Sequence, residues 1–190
     1  MLVAEDASHE HKPFEEMLPS LKKAAATLRE VDVPFVLAGG VASWARGGPE
    51  SDHDLDFLVK PEDADRALDA LEAAGMHPEK PPEQWLYKAY DDDVMIDLIF
   101  QPSGLEVDDA LIERSDELEV FAVAMRVMRP EDILVTKLSA MTEHTLGFEG
   151  CLEIARSLRE QIDWREVRKR TRGSPFAKAF FVLLEELGIE

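Results

Sequence analysis

The first part of the chain alternates between helical and strand patterns of hydrophobic residues. Hydrophobic positions recur every three to four residues over 13–31 and again from Pro61 to Gly75, which predicts two amphipathic helices. Alternating or short apolar runs predict strands near residues 33–38, 54–59, 84–90, 94–100 and 118–126, and a short helix is expected over 41–46. Together these elements predict a mixed α+β body.

The hydrophobic pattern becomes purely helical after Pro130. Helical spacing is present over 130–142, 148–161 and 163–171, and a last helix begins with Ser174 as its cap and ends before Gly188. We therefore expect two units, an α/β core over residues 1–128 and a helical module over 129–190. Because no glycine- or serine-rich linker separates them, we expect the two units to pack closely.

Acidic side chains interrupt two of the predicted strands. Asp54 and Asp56 alternate on one strand and therefore point to the same face. Asp97 stands alone in the apolar run 94–100, where a buried carboxylate without a partner would be costly. Carboxylate oxygens suit Mg²⁺, which proteins hold with one or two carboxylates together with substrate phosphates. A third carboxylate at the same site would account for Asp97.

A pair of glycines follows the first predicted strand. Gly39 and Gly40 carry no side chain that would block a phosphate, and they precede a short helix whose backbone N–H groups can meet an anion. Ser51 supplies a hydroxyl donor shortly before Asp54. A glycine pair by itself is compatible with an ordinary turn, but the order strand, Gly-Gly, helix, Asp-x-Asp and later Asp is far more specific.

This ordered set resembles the signature of the nucleotidyltransferase superfamily that includes DNA polymerase beta and the kanamycin and lincosamide nucleotidyltransferases. The signature corresponds to Gly39-Gly40, Asp54, Asp56 and Asp97. The segment Arg129–Leu138 (RPEDILVTKL) also resembles a Pro-Glu-Asp-Leu-(x)₃-Lys-Leu segment of the AbiEii and MenT-like toxins of toxin–antitoxin pairs. The resemblance implies a small mixed β-sheet flanked by helices, with the C-terminal helices closing a nucleotide cleft.

The resemblance also implies an enzyme that transfers a nucleoside monophosphate from an NTP to an acceptor hydroxyl and releases pyrophosphate. Asp54, Asp56 and Asp97 would be the catalytic and Mg²⁺-binding residues, and Gly39, Gly40 and Ser51 would cradle the phosphates. Lys137 and Lys88 would neutralise the triphosphate. Lys137 is also compatible with a solvated helix lysine, and Lys88 with an ordinary strand lysine.

The acceptor is left open by the charge pattern. The net charge of −19 disfavours nucleic acid, whereas the stretch 151–178 carries eight basic residues against four acidic ones and could meet an RNA backbone. The resemblance to the toxin family, together with this basic stretch, implies a toxin-like enzyme that modifies RNA at tRNA 3′ ends, with a possible cognate antitoxin. The alternatives are a small-molecule acceptor such as an antibiotic, a protein acceptor, and a degenerate fold that only binds.

The sequence lacks the features expected of a membrane or secreted protein. No run of 18 apolar residues exists, and the N-terminus lacks the pattern of a secretory signal. The single cysteine, Cys151, excludes an internal disulfide. We expect a cytoplasmic protein without a membrane partner.

Overall fold

The computed structural model describes residues 14–49 and 54–190, which form a mixed α+β fold built on one seven-stranded sheet. The strand order is β3-β4-β5-β2-β1-β7-β6. The strands are β1 Phe35–Leu37, β2 Leu55–Val59, β3 His77–Glu79, β4 Leu86–Asp91, β5 Val94–Ile99, β6 Asp116–Val120 and β7 Val123–Val127.

Helices flank this sheet and make up the end of the chain. They are α1 Phe14–Glu30, α2 Gly39–Ala45, α3 Ala64–Ala73, α4 Asp109–Arg114, α5 Pro130–Ala140, α6 Phe148–Leu158, α7 Trp164–Thr171 and α8 Pro175–Glu186, and a 3₁₀ turn at Pro61–Asp63 precedes α3. The predicted α+β class and the helical C-terminal run are confirmed. No helix among the described residues is both long and apolar enough to cross a membrane.

The sheet is mixed in its strand directions. β2 runs parallel to β5 and antiparallel to β1, and β4 runs antiparallel to both β3 and β5. Alternation along the strands gives the sheet two different faces. Phe57, Ala89 and Leu98 share one face and are fully buried in the core, whereas Asp56 and Asp97 share the other.

Helix α3 covers the apolar face of the sheet. It contacts β3, β4 and β5 and also packs against α1. Lys80 links the two layers, because its Nζ lies 2.6 Å from Oδ1 of Asp65 on α3 and 4.7 Å from the centre of the Tyr87 ring. Tyr87 alternates with Lys88 on β4, so the face that carries the aspartates lies on the side away from α3.

Helix α5 is the central element of the C-terminal helices, since it contacts α2, α6, α7 and α8. Its residue Asp132 is buried, with a side chain only 2% exposed, and it pairs with two arginines. Arg170 of α7 lies 2.6 Å from Oδ1 of Asp132, and Arg114 of α4 lies 3.1 Å from the same atom. This carboxylate therefore links α5 to both α4 and α7.

The strand predicted over 118–126 is in fact a hairpin of β6 and β7. The chain turns at Phe121 and Ala122, whose φ angles of 49° and 62° lie in the left-handed region. Neither phenylalanine nor alanine is a residue type that marks a turn. The alternating pattern on both sides of the turn was therefore interpreted as one strand. Phe121 instead stacks on Trp44, with ring centres 4.7 Å apart. Strand β3 and helix α4 were not predicted.

Candidate active site

The three aspartates singled out in the sequence meet on the polar face of the sheet. Asp56 of β2 and Asp97 of β5 are register partners on adjacent parallel strands, and Asp54 immediately precedes β2 on the same face as Asp56. One carboxylate oxygen from each of the three lies within 4.8 Å of the others. The site therefore presents three converging oxygen ligands.

Burial and mutual repulsion change the proton affinities in this cluster. Burial, together with the charges of Asp54 and Asp97, raises the pKa of Asp56 to about 8, although Lys137 and Lys88 act to lower it. Burial also raises the pKa of Asp97, against the opposing effect of its ion pair with Lys88. Carboxylates held this close repel one another when ionised, and a divalent cation between them would relieve that repulsion.

Gly39 approaches the cluster from the end of β1. It begins α2 with a φ of 59°, and a Cβ atom at this position would lie 1.7 Å from Oδ2 of Asp56. The backbone N–H of Ala38 donates a 2.9 Å hydrogen bond to the carbonyl oxygen of Asp56, which fixes the two segments together. No side chain caps the N-terminus of α2, and Gly40 follows directly. A glycine at position 39 is thus required by close packing against Asp56 as well as by backbone conformation.

The two predicted lysines take different positions. Lys88 is the register partner of Asp97, and its Nζ donates a 2.8 Å hydrogen bond to Oδ1 of that residue and lies 3.2 Å from Sδ of Met95. Lys137 lies exposed on α5, near enough for its charge to lower the pKa of both Asp56 and Cys151. Within the described ranges Lys137 has no ion pair. Ser51 lies outside the described residues.

Fewer cations of the basic stretch 151–178 are available to bind RNA than its composition indicates. Four of its cations are bound by acidic residues of the chain, in the pairs Arg159–Glu160, Lys169–Glu166, Arg170–Asp132 and Arg168 with both Glu185 and Glu190. In the part of the chain that the structure describes, Arg156, Arg165, Arg172 and Lys178 have no such partner. The predicted RNA-facing charge is therefore partly neutralised within the fold.

Two residues of this face were missed in the sequence. Tyr90 of β4 donates a 2.9 Å hydrogen bond from its hydroxyl to Oε2 of Glu79 on β3. Strand β3 is three residues long and fully exposed, and its sequence His-Pro-Glu carries no strand pattern. Only the pairing of β3 with β4 reveals that Glu79 belongs with the aspartates.

A family model described as an uncharacterised nucleotidyltransferase matches residues 15–185, which is nearly the whole chain. The chain belongs to this family. It is accordingly an enzyme of the nucleotidyltransferase type, as the Gly-Gly and Asp-x-Asp pattern predicted. Closeness to the AbiEii and MenT-like toxins remains a prediction. No curated protein matches the sequence significantly.

Solved structures show the same fold at low sequence identity. The solution structure of the antibiotic-resistance factor ANT(2'')-Ia is 16% identical, with a TM-score of 0.66 over 93% of this chain and 99% of that one. ANT(2'')-Ia in complex with adenylyl-2''-tobramycin is 17% identical, with a TM-score of 0.58 over 87% and 99%. The lincosamide antibiotic adenylyltransferase LnuA, bound to lincomycin, is 14% identical, with a TM-score of 0.54 over 80% and 100%.

Proposed function

We propose that this nucleotidyltransferase moves a nucleoside monophosphate from an NTP to an acceptor hydroxyl in the presence of Mg²⁺. The observation that carries the proposal is the convergence of Asp54, Asp56 and Asp97 within 4.8 Å beside Gly39. An all-oxygen carboxylate set, in which the pKa of Asp56 is raised to about 8, fits a hard divalent cation. Mg²⁺ held there would neutralise the charge of the phosphates and of the leaving pyrophosphate.

The residues of the chain have separate tasks in this reaction. Asp54 and Asp56 would hold the metal with the triphosphate, and Asp97 would complete the site on the acceptor side. The acceptor oxygen forms a bond to the α-phosphorus while the bond from that phosphorus to the pyrophosphate oxygen breaks. The hydroxyl proton passes to the carboxylate of Asp97, and the hydrogen bond from Lys88 opposes the rise in the pKa of that carboxyl and so favours the ionised form that receives the proton.

The phosphates are bound by backbone and lysine groups in this proposal. Gly39 and Gly40 bring backbone N–H groups to the phosphates. Ser51 is assigned a hydroxyl contact to the same phosphates from the sequence pattern alone. Lys137 approaches from α5 and offsets triphosphate charge, which its exposure and its lack of an ion pair in the described ranges support. We propose that the helical module over 129–190 closes the cleft by carrying this lysine.

Two acceptor classes have support from different observations. The segment 129–138 resembles the toxin family. Arg156, Arg165 and Arg172, which have no ion pair with any described residue, could contact an RNA 3′ end such as that of tRNA. A small-molecule acceptor is supported by the overall similarity to ANT(2'')-Ia, an antibiotic-resistance factor, and to LnuA, a lincosamide antibiotic adenylyltransferase. The acidic composition of residues 50–109 also supports it, because it would attract a cationic molecule.

A transfer assay with α-labelled NTPs tests the proposal. Each NTP is offered with Mg²⁺ and, separately, total tRNA, an antibiotic panel or a cell protein extract, and products are separated by size. We expect label on one acceptor class, abolished by Asp54→Asn and retained in Asp69→Asn, a matched change at an exposed position of α3. Label that persists in Asp54→Asn would contradict the assigned site.

A further inference from the structure

A row of four charged side chains crosses the polar face from β2 to the edge strand β3. Asp56 is the register partner of Asp97, Asp97 of Lys88, and Lys88 of Glu79. Register partners project to the same face of a sheet. Glu79 therefore shares the face of the aspartates, and two strand spacings place its backbone about 10 Å beyond that of Asp97.

Glu79 is held in place by Tyr90 and is still open to a ligand. Tyr90 lies two residues after Lys88 on β4, so its ring is on the same face, and its hydroxyl occupies Oε2 of Glu79 at 2.9 Å. The Glu79 side chain is exposed, and the described structure gives its Oε1 no hydrogen-bond partner.

The position of this pair separates it from the phosphate side of the site. Gly39 follows β1, which borders β2 on one side, whereas β5, β4 and β3 follow one another on the other side. A triphosphate bound at Gly39 would not cover the polar face of β5, β4 and β3 between Asp97 and Glu79. This part of the face is therefore available to the portion of the acceptor that lies beyond the reacting hydroxyl. The groups on this part of the face are a carboxylate, a phenol ring and the Lys88–Asp97 ion pair.

We infer that Glu79 and Tyr90 recognise a protonated amine on the acceptor, at the outer end of the polar face from Asp97. The inference rests on the proposed function. An open carboxylate beside an aromatic ring attracts an ammonium group through both its charge and the face of the ring. The same carboxylate repels the phosphates of a nucleic acid, which favours a cationic polyhydroxylated molecule over RNA.

The test uses tobramycin as a polyamine acceptor and total tRNA as an anionic one, each with α-labelled ATP and Mg²⁺. We expect Asp54-dependent label on tobramycin. Glu79→Gln is expected to raise the KM for tobramycin about tenfold and to leave the KM for ATP and kcat within about twofold. Tyr90→Phe should raise the tobramycin KM by less. Glu72→Gln, the same change at an exposed residue of α3, should change none of these values.

The other results are each decisive. Label on tRNA alone, or a tobramycin KM that is the same in Glu79→Gln and Glu72→Gln, overturns the inference. If neither acceptor is labelled, an ATP titration with Mg²⁺ decides which claim fails. If ATP binds and Asp54→Asn weakens that binding, the nucleotide site is supported and the amine acceptor is refuted. If ATP does not bind, the proposed function itself is refuted.

Discussion

A Cβ atom placed on Gly39 would lie 1.7 Å from Oδ2 of Asp56. The glycine pair and the Asp-x-Asp pair are separated by more than a dozen residues in the sequence, yet the backbone of one directly borders the carboxylate of the other. Any side chain at position 39 must displace the carboxylate of Asp56, whose pKa is raised to about 8 by burial and by the neighbouring aspartates. The two sequence motifs therefore form a single structural unit.

Replacement of Gly39 by alanine should abolish metal binding for this reason. Gly47→Ala is the matched control, because Gly47 also has a left-handed φ, at 92°, but a Cβ there meets no atom within 4 Å. Both variants should lose about 1–2 kcal/mol of unfolding free energy from backbone strain, measured by urea denaturation. Only Gly39→Ala should lose Mn²⁺ affinity in a titration. Equal Mn²⁺ affinity in the two variants would contradict the contact.

The sequence located the three aspartates of the candidate site but not their arrangement. The alternation of Asp54 and Asp56 and the isolated charge of Asp97 in an apolar strand are local signals, and they were read correctly as belonging together. The parallel register that sets Asp56 opposite Asp97 is a long-range pairing, and local patterns do not determine it. The hydrogen bond that Lys88 donates to Asp97 follows from the pairing of β4 with β5, and the expected role of Lys88 at the triphosphate stays a prediction.

Other parts escaped prediction because their signals are not local. Strand β3 is recognisable by its pairing with β4, because its three residues are all exposed and show no strand pattern in the sequence. The turn at Phe121 is stabilised by stacking on Trp44, a contact across the fold. Asp132 looks like an ordinary acidic residue near the start of a helix, and its burial between Arg114 and Arg170 appears only when three helices meet.

Divalent-cation affinity should increase with pH from 6 to about 8 and then level off. The pKa of Asp56 is about 8 in the metal-free fold, so the metal must displace a proton below that pH. Affinity should rise by up to about tenfold per pH unit in that range, with proton release measurable by calorimetry in buffers of different ionisation enthalpy. Affinity that is constant between pH 6 and 8 would show that Asp56 is already ionised.

The same shift has a consequence for stability. The pKa of Asp56 in the folded chain lies above its ordinary value of 3.8, so between about pH 4 and 8 the folded state holds a proton that the unfolded state has lost. The contribution of Asp56 to the free energy of unfolding is therefore present at low pH and is lost as the pH rises towards 8. Comparison of metal-free wild type with Asp56→Asn over this pH range isolates that contribution. The opposite slope would contradict it.

Lys88→Met should lower kcat and leave nucleotide affinity close to wild type. The ammonium group of Lys88 lies 2.8 Å from Asp97, so its loss raises the pKa of that carboxyl and leaves less of it ionised to accept a proton. A decrease in kcat of roughly 100-fold is expected, with the rate recovering in part as the pH is raised. Lys137→Met is the comparison, since it should weaken NTP binding instead. A reversed pattern would place Lys88 at the triphosphate.

Asp132→Ala should destabilise the fold because it leaves two arginines without their shared carboxylate. Arg114 and Arg170 are 36% and 21% exposed and can regain some water, so we expect a loss of about 2 kcal/mol, less than for a wholly buried pair. Glu166→Ala breaks an exposed pair with Lys169 and should cost under about 0.5 kcal/mol in the same urea denaturation experiment. Equal losses would show that Asp132 does not join the helices.

The central claim is that Asp54, Asp56 and Asp97 bind a divalent cation together with a nucleoside triphosphate. Calorimetric titration with an α,β-methylene NTP analogue, with and without Mg²⁺, tests it without knowledge of the acceptor. We expect binding that requires Mg²⁺ and that Asp54→Asn and Asp56→Asn each weaken by at least about tenfold, while Asp69→Asn binds as wild type does. Binding that is independent of Mg²⁺, or unchanged by those two substitutions, would contradict the account.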